Sequence, residues 1–480
     1  DPSDRQNNIG NAFDVTTDDP SFRLEVKEDA TYRVLIRDQY NSSRNDPRYV
    51  YRMAIRRETP DFRLLALPAL VVTNNNQNQP SPGTLVIRRG GAVVVDVRLL
   101  AQDGFNEEVT LSVEGLPGGL SCRGAVVSGS ASNCSLVIES DPNAGAWSGP
   151  IRIVGRAKVG NQDLVRTARV GNTLWSVNIQ QERPQSRLMQ ELNLAVLDTE
   201  RAAATLTAGE DKVWETCRGG KLEIPVKSQR HDGFDGEIKL KAVGLPAQIK
   251  PNEVNLAKGN DGKLEVSITD QNTPPGTYTF YLQADTKLKY ARFPESLEPL
   301  KQRQKELEDL VKQFEEEAKN AEGDAAKPIQ EKLNQAKKLK QDADKAVTDT
   351  EKNVQPKDVN IALFSQPIKI RVAPHPLKLT AGAVTVKQGE TAMLDVNLER
   401  LYGFDDSVDI TFAAPQGTSG IGGKNFKIEK GQGSGKLEIT ANASATPGEH
   451  TAVIKATCRY NNVQGNLDIE FPLKVEEVKK

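Results

Sequence analysis

The stretch Asp232–Pro246, DGFDGEIKLKAVGLP, is written a second time with few changes at Asp103–Pro117, DGFNEEVTLSVEGLP. Its Gly-Phe pair occurs at Gly104–Phe105, Gly233–Phe234 and Gly403–Phe404. Five residues after each glycine an alternation begins: Val109, Leu111, Val113; Ile238, Leu240, Ala242; Val408, Ile410, Phe412. Polar residues fill the gaps, so each run has the period of a strand with one buried and one wet face. A matching run precedes each glycine, at Val95 and Val97, Ile224 and Val226, Leu394 and Val396. This predicts that the Gly-Phe element joins two strands of a hairpin-like pair. Further along, three turn glycines are each followed eight residues later by an alanine, Ala157, Ala284 and Ala456, at the end of another alternation. Turn formers recur about every 8–12 residues, the signature of a seven-stranded antiparallel immunoglobulin-like sandwich. The fold class expected is mainly β, with three such sandwiches in tandem.

A chain of 480 residues is too long for one core. With 63 Lys plus Arg against 65 Asp plus Glu, it has no long-range field for nucleic acid or an anionic membrane. No apolar run reaches the roughly 18 residues of a membrane helix. Asp1 opens a polar stretch instead of a signal peptide, so the expectation is a soluble chain whose export signal is removed or omitted.

From Pro294 to Gln355 strand residues give way to Glu, Lys, Gln, Ala and Leu. Leu300, Leu307 and Phe314 form one stripe; Ile329, Leu333, Ala336, Leu339, Ala343 and Val347 form another, after a break marked by Gly323 and Pro328. Two facing stripes predict an antiparallel helical hairpin inserted at a loop of the second sandwich, with its flanking strands meeting at the base. It reads either as a solvated spacer or as a docking arm. The expected divisions are a partial β unit over 1–62, a first sandwich over 63–182, a second over 183–374 with the insertion at 295–355, and a third over 375–480.

In the first unit, SFRLEV, TYRVLIRD and YVYRMAIRR read as three strands. The segment Ala30–Phe62, ATYRVLIRDQYNSSRNDPRYVYRMAIRRETPDF, resembles the closing strands of the bacterial pre-peptidase C-terminal domain, a jelly-roll-like sandwich. The DGF…GLP repeats and the charged insertion after LKYAR look like the sandwiches that accompany it in exported proteins of planctomycete-type bacteria. The resemblance implies an extracellular, cell-surface or periplasmic location. About half of that domain is present, which implies that its missing strands come from a lost segment or another polypeptide. Cys122 and Cys134 lie among small polar residues, where a loop-closing disulfide would contribute about 3 kcal/mol; the alternative is two separate buried thiols. Cys217 and Cys458 are expected to be unpaired or distant.

Candidate chemistry is sparse. His231, His375 and His450 fall in different repeats without a second ligand at zinc spacing. GTSGIGG near Ser419 lacks nucleophile-elbow spacing. GQGSGK at Gly431–Lys436 lacks the Ser or Thr after Lys, and the strand KLEIT follows where a phosphate loop needs a helix. Asp232, Asp235 and Glu237, with Asp405 and Asp406, are calcium candidates, set against turns whose Asp side chains bond backbone amides; otherwise no cofactor is expected. Gly104, Gly233 and Gly403 are expected to hold a conformation that a side chain would obstruct, and Phe105, Phe234 and Phe404 to plug one end of each sandwich. The function expected is a non-catalytic structural or adhesive envelope or extracellular protein. Its partners would be other envelope or extracellular proteins, reached through the helical arm, the N-terminal unit or both. The alternative is the substrate- or carbohydrate-binding region of a secreted hydrolase or peptidase.

Overall fold

The computed structural model describes residues 22–35, 52–68, 84–127, 133–175, 185–256, 260–321 and 326–478. The protein is mainly β, and its described residues form three large sandwich cores and a helical hairpin. Each core is enclosed by two sheets, and the repeated alternations supply their facing sides. Val109, Leu111, Ile238, Leu240, Val408 and Ile410 are fully buried, and so are Val97, Ile224 and Val396 on the strands before the corners.

The three sandwiches share one chain path. An opening strand (Asp61–Pro68, Ala204–Ala208 or Leu377–Ala381) runs antiparallel to the strand that enters the Gly-Phe corner: Ala92–Gln102, Lys221–Arg230 or Thr391–Arg400. A second strand (Thr84–Arg89, Val213–Cys217 or Val384–Lys387) then lies in the opposite sheet. There it runs parallel to the last strand of its sandwich: Leu192–Arg201, Ile368–Ala373 or Val463–Glu476. The sandwiches are therefore mixed, not wholly antiparallel. In the second, Gly209 at φ 72° separates the opening strand from the one that crosses over; this left-handed conformation favours glycine.

The Gly-Phe element is not a hairpin. The strand entering it and the strand leaving it (Val109–Glu114, Ile238–Val243 or Val408–Ala413) belong to different sheets. Both central residues of the turn have positive φ: Asp103 and Gly104 at 52° and 76°, Asp232 and Gly233 at 50° and 71°, Tyr402 and Gly403 at 55° and 75°. Phe105, Phe234 and Phe404 each donate their backbone N–H three residues back, to Gln102, His231 and Leu401, as in a type I′ turn. Turns of this kind usually return a strand to its neighbour, but here a stretch without strand pairing follows and crosses the core. A Cβ built on Gly104 or Gly233 would touch nothing within 4 Å. Backbone conformation, rather than lack of room, is what these glycines provide.

The first sandwich runs further than its spacing suggests. Leu192, Leu194 and Val196 lie in its core, so it extends to Arg201 and does not stop at 182. An extra pair, Arg169–Trp175 with Gln185–Met189, precedes that last strand and widens the other sheet, which displaces the boundary in sequence. The three strands expected before Asp61 are not seen among the described residues: Phe22–Leu35 and Arg52–Pro60 carry no strand pairing, and Phe22, Leu35 and Ile55 are largely exposed. Alternation makes a segment competent to pair, but a strand also needs a neighbour for its backbone groups. The remainder of that unit lies outside the described residues.

The insertion consists of helices Leu297–Lys319 and Ala326–Asn353, whose stripes meet at Val311, Leu333 and Ala336. Pro328 sits in the first turn of the second helix, where its missing N–H costs nothing; Gly323 lies outside the described residues. Gln304 Nε2 donates to Asp344 Oδ1 across the pair at 2.7 Å, fixing the register of the helices. The flanking strands Gly276–Tyr290 and Lys357–Phe364 pair from Tyr290–Lys357 to Gln283–Phe364, closing the base.

Truncating the buried Phe234 to Ala is expected to destabilise the middle sandwich by about 3–5 kcal/mol. Gly233→Ala should cost about 1–2 kcal/mol through φ alone, and Gly233→Asn less, because Asn tolerates that region. Denaturant titration of the middle transition checks all three; a larger loss for Gly233→Asn than for Phe234→Ala would contradict this ordering.

Candidate functional site

The predicted site residues do not gather at one place. Asp232 and Asp235 are exposed on the second corner. Glu237 accepts from Asn255 Nδ2 at 3.1 Å and faces Lys239 at 3.3 Å. In the third corner Asp406 Oδ1 accepts the Ser407 N–H at 2.8 Å, and Asp405 stands 4.0 Å from Lys430. Among the described residues no group of three His, Cys, Asp or Glu side chains has metal-binding geometry. Phe105, Phe234 and Phe404 are buried, at 4%, 6% and 3% exposure. Phe105 packs on Phe62 with centroids 5.1 Å apart and Phe404 on Tyr460 at 5.7 Å, while the Arg230 guanidinium lies 5.3 Å from the Phe234 ring.

Cys122 and Cys134 are free thiols, contrary to the expected disulfide. Ser121 is the register partner of Glu139, five residues from Cys134 on the same strand. Strand register therefore does not set Cys122 opposite Cys134. Burial pushes the Cys134 thiol up to about 12.

What the structure does bring together are the outer faces of successive sandwiches. Val94 and Val137, register partners on the first sandwich, are buried outside its core against Tyr281 of the second, with Ala92, Val243 and Phe364 around them. Tyr281 and Phe364 meet edge to face at 5.9 Å. Ser135 Oγ, on the Tyr281 side of the first sandwich, donates to Asp96 Oδ1 at 2.7 Å; burial pushes the Tyr281 phenol well above its ordinary range.

The other repeats provide an internal control. Ten residues before each corner glycine stand Val94, Glu223 and Met393, paired across the sheet with Val137, Glu265 and Glu438. In the second sandwich Lys221 reaches Glu265 at 2.6 Å and Lys263 reaches Glu223 at 2.9 Å, forming a solvated charged ladder. The receiving pair Val243–Tyr281 corresponds to Glu114–Arg152 in the first sandwich. Apolar pairs thus stand on the two faces that touch.

A polar rim surrounds the patch. Arg123 of the first sandwich donates to Gln366 Oε1 at 3.1 Å and lies 3.3 Å from Asp211 and 3.4 Å from Glu139, while its carbonyl accepts Lys369 Nζ at 3.4 Å. Thr205 Oγ1 donates to the Gly90 carbonyl at 2.7 Å and contacts His231 Nε2 at 3.0 Å. With its proton directed to Gly90, the hydroxyl accepts from the ring, which places a proton on Nε2. Tyr290 donates to Glu200 at 2.7 Å.

The second and third sandwiches meet at a tighter joint. Asn461 and Asn462, at φ 46° and 67°, turn the hairpin between Gly448–Tyr460 and Val463–Glu476, and Asn461 Nδ2 donates to the Gly219 carbonyl at 2.7 Å. A Cβ on Gly219 would stand 2.2 Å from the Tyr460 carbonyl oxygen. Cys217 and Cys458 are both buried near this joint, where burial raises their thiols to about 12 and about 11.

The sequence carried a signal for the first joint that strict alternation hides. Val93-Val94-Val95, Leu136-Val137-Ile138 and Phe280-Tyr281-Leu282 are unbroken apolar triplets, as expected of strands covered on both faces. Their second-repeat counterparts, Leu222-Glu223-Ile224 and Leu264-Glu265-Val266, alternate.

No protein-family model matches the chain, and no curated protein sequence matches it. Among solved structures it is similar to the S-layer protein SbsC. Domains 1–6 align at 11% identity over 84% of this chain and 55% of that one, with TM-score 0.22. Domains 4 and 5 align at 18% identity over 26% of this chain and 69% of that one, with TM-score 0.15. It is also similar to Escherichia coli alpha-2-macroglobulin activated by porcine elastase, at 11% identity over 83% of this chain and 32% of that one, with TM-score 0.18. The chain spans about half the length of the six-domain SbsC structure. Superpositions this distant carry no functional argument, and none of these comparisons shows a pre-peptidase C-terminal domain or a planctomycete source.

Val94→Glu is expected to open the first joint while leaving the first sandwich folded, since the second sandwich carries Glu at that position. Faster proteolysis at Ala202–Ala203 and a larger radius of gyration would show it; an unchanged radius would contradict the joint. Burial and the Arg201 charge push the His231 imidazole below its ordinary range. Its contribution to stability is therefore complete above the unfolded value of about 6.5 and lost as pH falls through the folded value. The melting temperature of the wild type should fall below pH 6.5 more steeply than that of His231→Gln; identical slopes would contradict this.

Proposed function

We propose that the chain is a non-catalytic structural or adhesive component of the cell envelope or extracellular space. Its docked sandwiches hold contact surfaces at fixed spacing and present the helical hairpin to another protein. The observation that carries the reading is the joint at Val94, Val137 and Tyr281. Surface that a freely hinged string of domains would keep polar is apolar and buried against the next sandwich. Further support comes from the insertion, which leaves the strands at its base paired and extends two helices of 23 and 28 residues, roughly 35–42 Å at about 1.5 Å per residue. A shallow depression beside Leu245, Ile249 and Pro251 has Lys241, Lys250 and Glu253 at its rim, and no histidine or cysteine lines it. Among the described residues no helix is long and apolar enough to cross a membrane.

Crosslinking with mass spectrometry on native material tests the proposal. Exposed lysines of the arm, such as Lys312 and Lys338, are expected to crosslink to a second protein at defined positions. Crosslinks confined to this chain's own residues would contradict the docking role.

A further inference from the structure

We propose that the three sandwiches bear tension along the chain, each through the parallel pair between its second strand and its last. This rests on the scaffold reading and extends it from shape to mechanics. In the third sandwich the register runs from Val384–Leu473 to Lys387–Glu476, and in the second from Val213–Lys369 to Cys217–Ala373. In the first it begins at Thr84–Asn193 and continues to Arg88–Leu197.

Two parallel strands at opposite ends of a sandwich's chain path have a definite mechanical consequence. The chain reaches the second strand at one end of the pair and leaves the last strand at the other. Tension then slides one strand along its partner, and the ladder bonds share the load. Had the strands been antiparallel, the same pull would open the bonds one after another from a single end. Forced unfolding is governed by the rate of crossing that barrier rather than by equilibrium stability, so direction of pull matters even at fixed stability.

The surroundings fit this load path. The opening strands Ala204–Ala208, apart from a single Leu206–Ser365 bridge, and Leu377–Ala381 are sheet edges with one ladder neighbour each, so they yield first and pass tension to the parallel pair; Asp61–Pro68 lies between two neighbours, and there only two residue pairs join it to the parallel strand Arg169–Trp175. Links between sandwiches are short: Ala202–Ala203 joins the first to the second, and Pro374-His375-Pro376 joins the second to the third. Little slack separates one last strand from the next opening strand. Pro374 and Pro376 also restrict the backbone of the second link. The helical hairpin is inserted between strands that pair with each other at its base, at the Tyr290 end of Gly276–Tyr290, whose other end, Gly276–Phe280, pairs with the last strand. It stays folded and presented while the sandwich holds.

Single-molecule pulling on the full chain tests this, because each sandwich has its own length. At about 3.6 Å per residue, complete extension releases about 50 nm from Asp61–Arg201, about 61 nm from Ala204–Ala373 and about 36 nm from Leu377–Glu476. The force of the shortest event is compared in two geometries: end to end, and between the C-terminal end and a handle at Glu390→Cys in a Cys122→Ser background. Glu390 follows Lys387 closely, so the second geometry opens the parallel pair from one end with the same folded sandwich. The force end to end is expected to be at least twofold higher. Equal forces in the two geometries would overturn the load-bearing role while leaving the scaffold reading to its crosslinking test.

Discussion

Tyr281 fills the space between two sheets that belong to different sandwiches, and its ring turns a string of domains into a defined object. Tandem domains joined by two or three residues would by default move against one another. Here Val94 and Val137 form an apolar outer pair on one sandwich, and Tyr281, Val243 and Phe364 form the face that receives it. Removing the Tyr281 ring from water is favourable only while the two faces stay together. The arm, the corners and the second joint acquire fixed relative positions from such contacts.

The corner works at another level. A turn with two positive φ values, a glycine that supplies the second, and a phenylalanine beyond it direct the chain from one sheet to the other three times. Asp103 in the first corner has an added role: Arg56 and the Thr59 N–H bond its carboxylate, the first through a bidentate pair, and the Arg56 guanidinium holds it at about 2. Asp232, in the same place in the second repeat, is exposed. One repeated word thus fixes a common path while its individual letters are free to take local tasks.

Much of this was legible in the sequence, and the failures share a cause. Strands at Val109, Ile238 and Val408, the buried phenylalanines and the helical hairpin follow from periodicity and turn chemistry, which are local. The disulfide at Cys122 and Cys134 failed because short separation along the chain says nothing of strand register. The hairpin reading of the corner failed because the sheet a strand joins is decided by its partners. Residues 22–35 and 52–60 alternate convincingly yet form no strand pairing among the described residues. The first sandwich runs past residue 182 because the extra pair, Arg169–Trp175 with Gln185–Met189, delays its last strand. The joint was readable in principle, since its triplets break the alternation that the other repeats keep, but recognising them requires asking what covers the second face. With the disulfide gone, the expected extracellular, cell-surface or periplasmic location rests on the resemblance alone.

Fixed geometry between the first two sandwiches is the claim from which the scaffold reading follows. Nitroxide labels at the exposed positions Lys158 and Lys239, introduced as Lys158→Cys and Lys239→Cys in a Cys122→Ser background, report it through their dipolar coupling. The account predicts a single narrow distance distribution, unchanged across the monomer concentrations accessible to the method. A broad distribution spanning tens of ångströms, as for freely hinged domains, would contradict it.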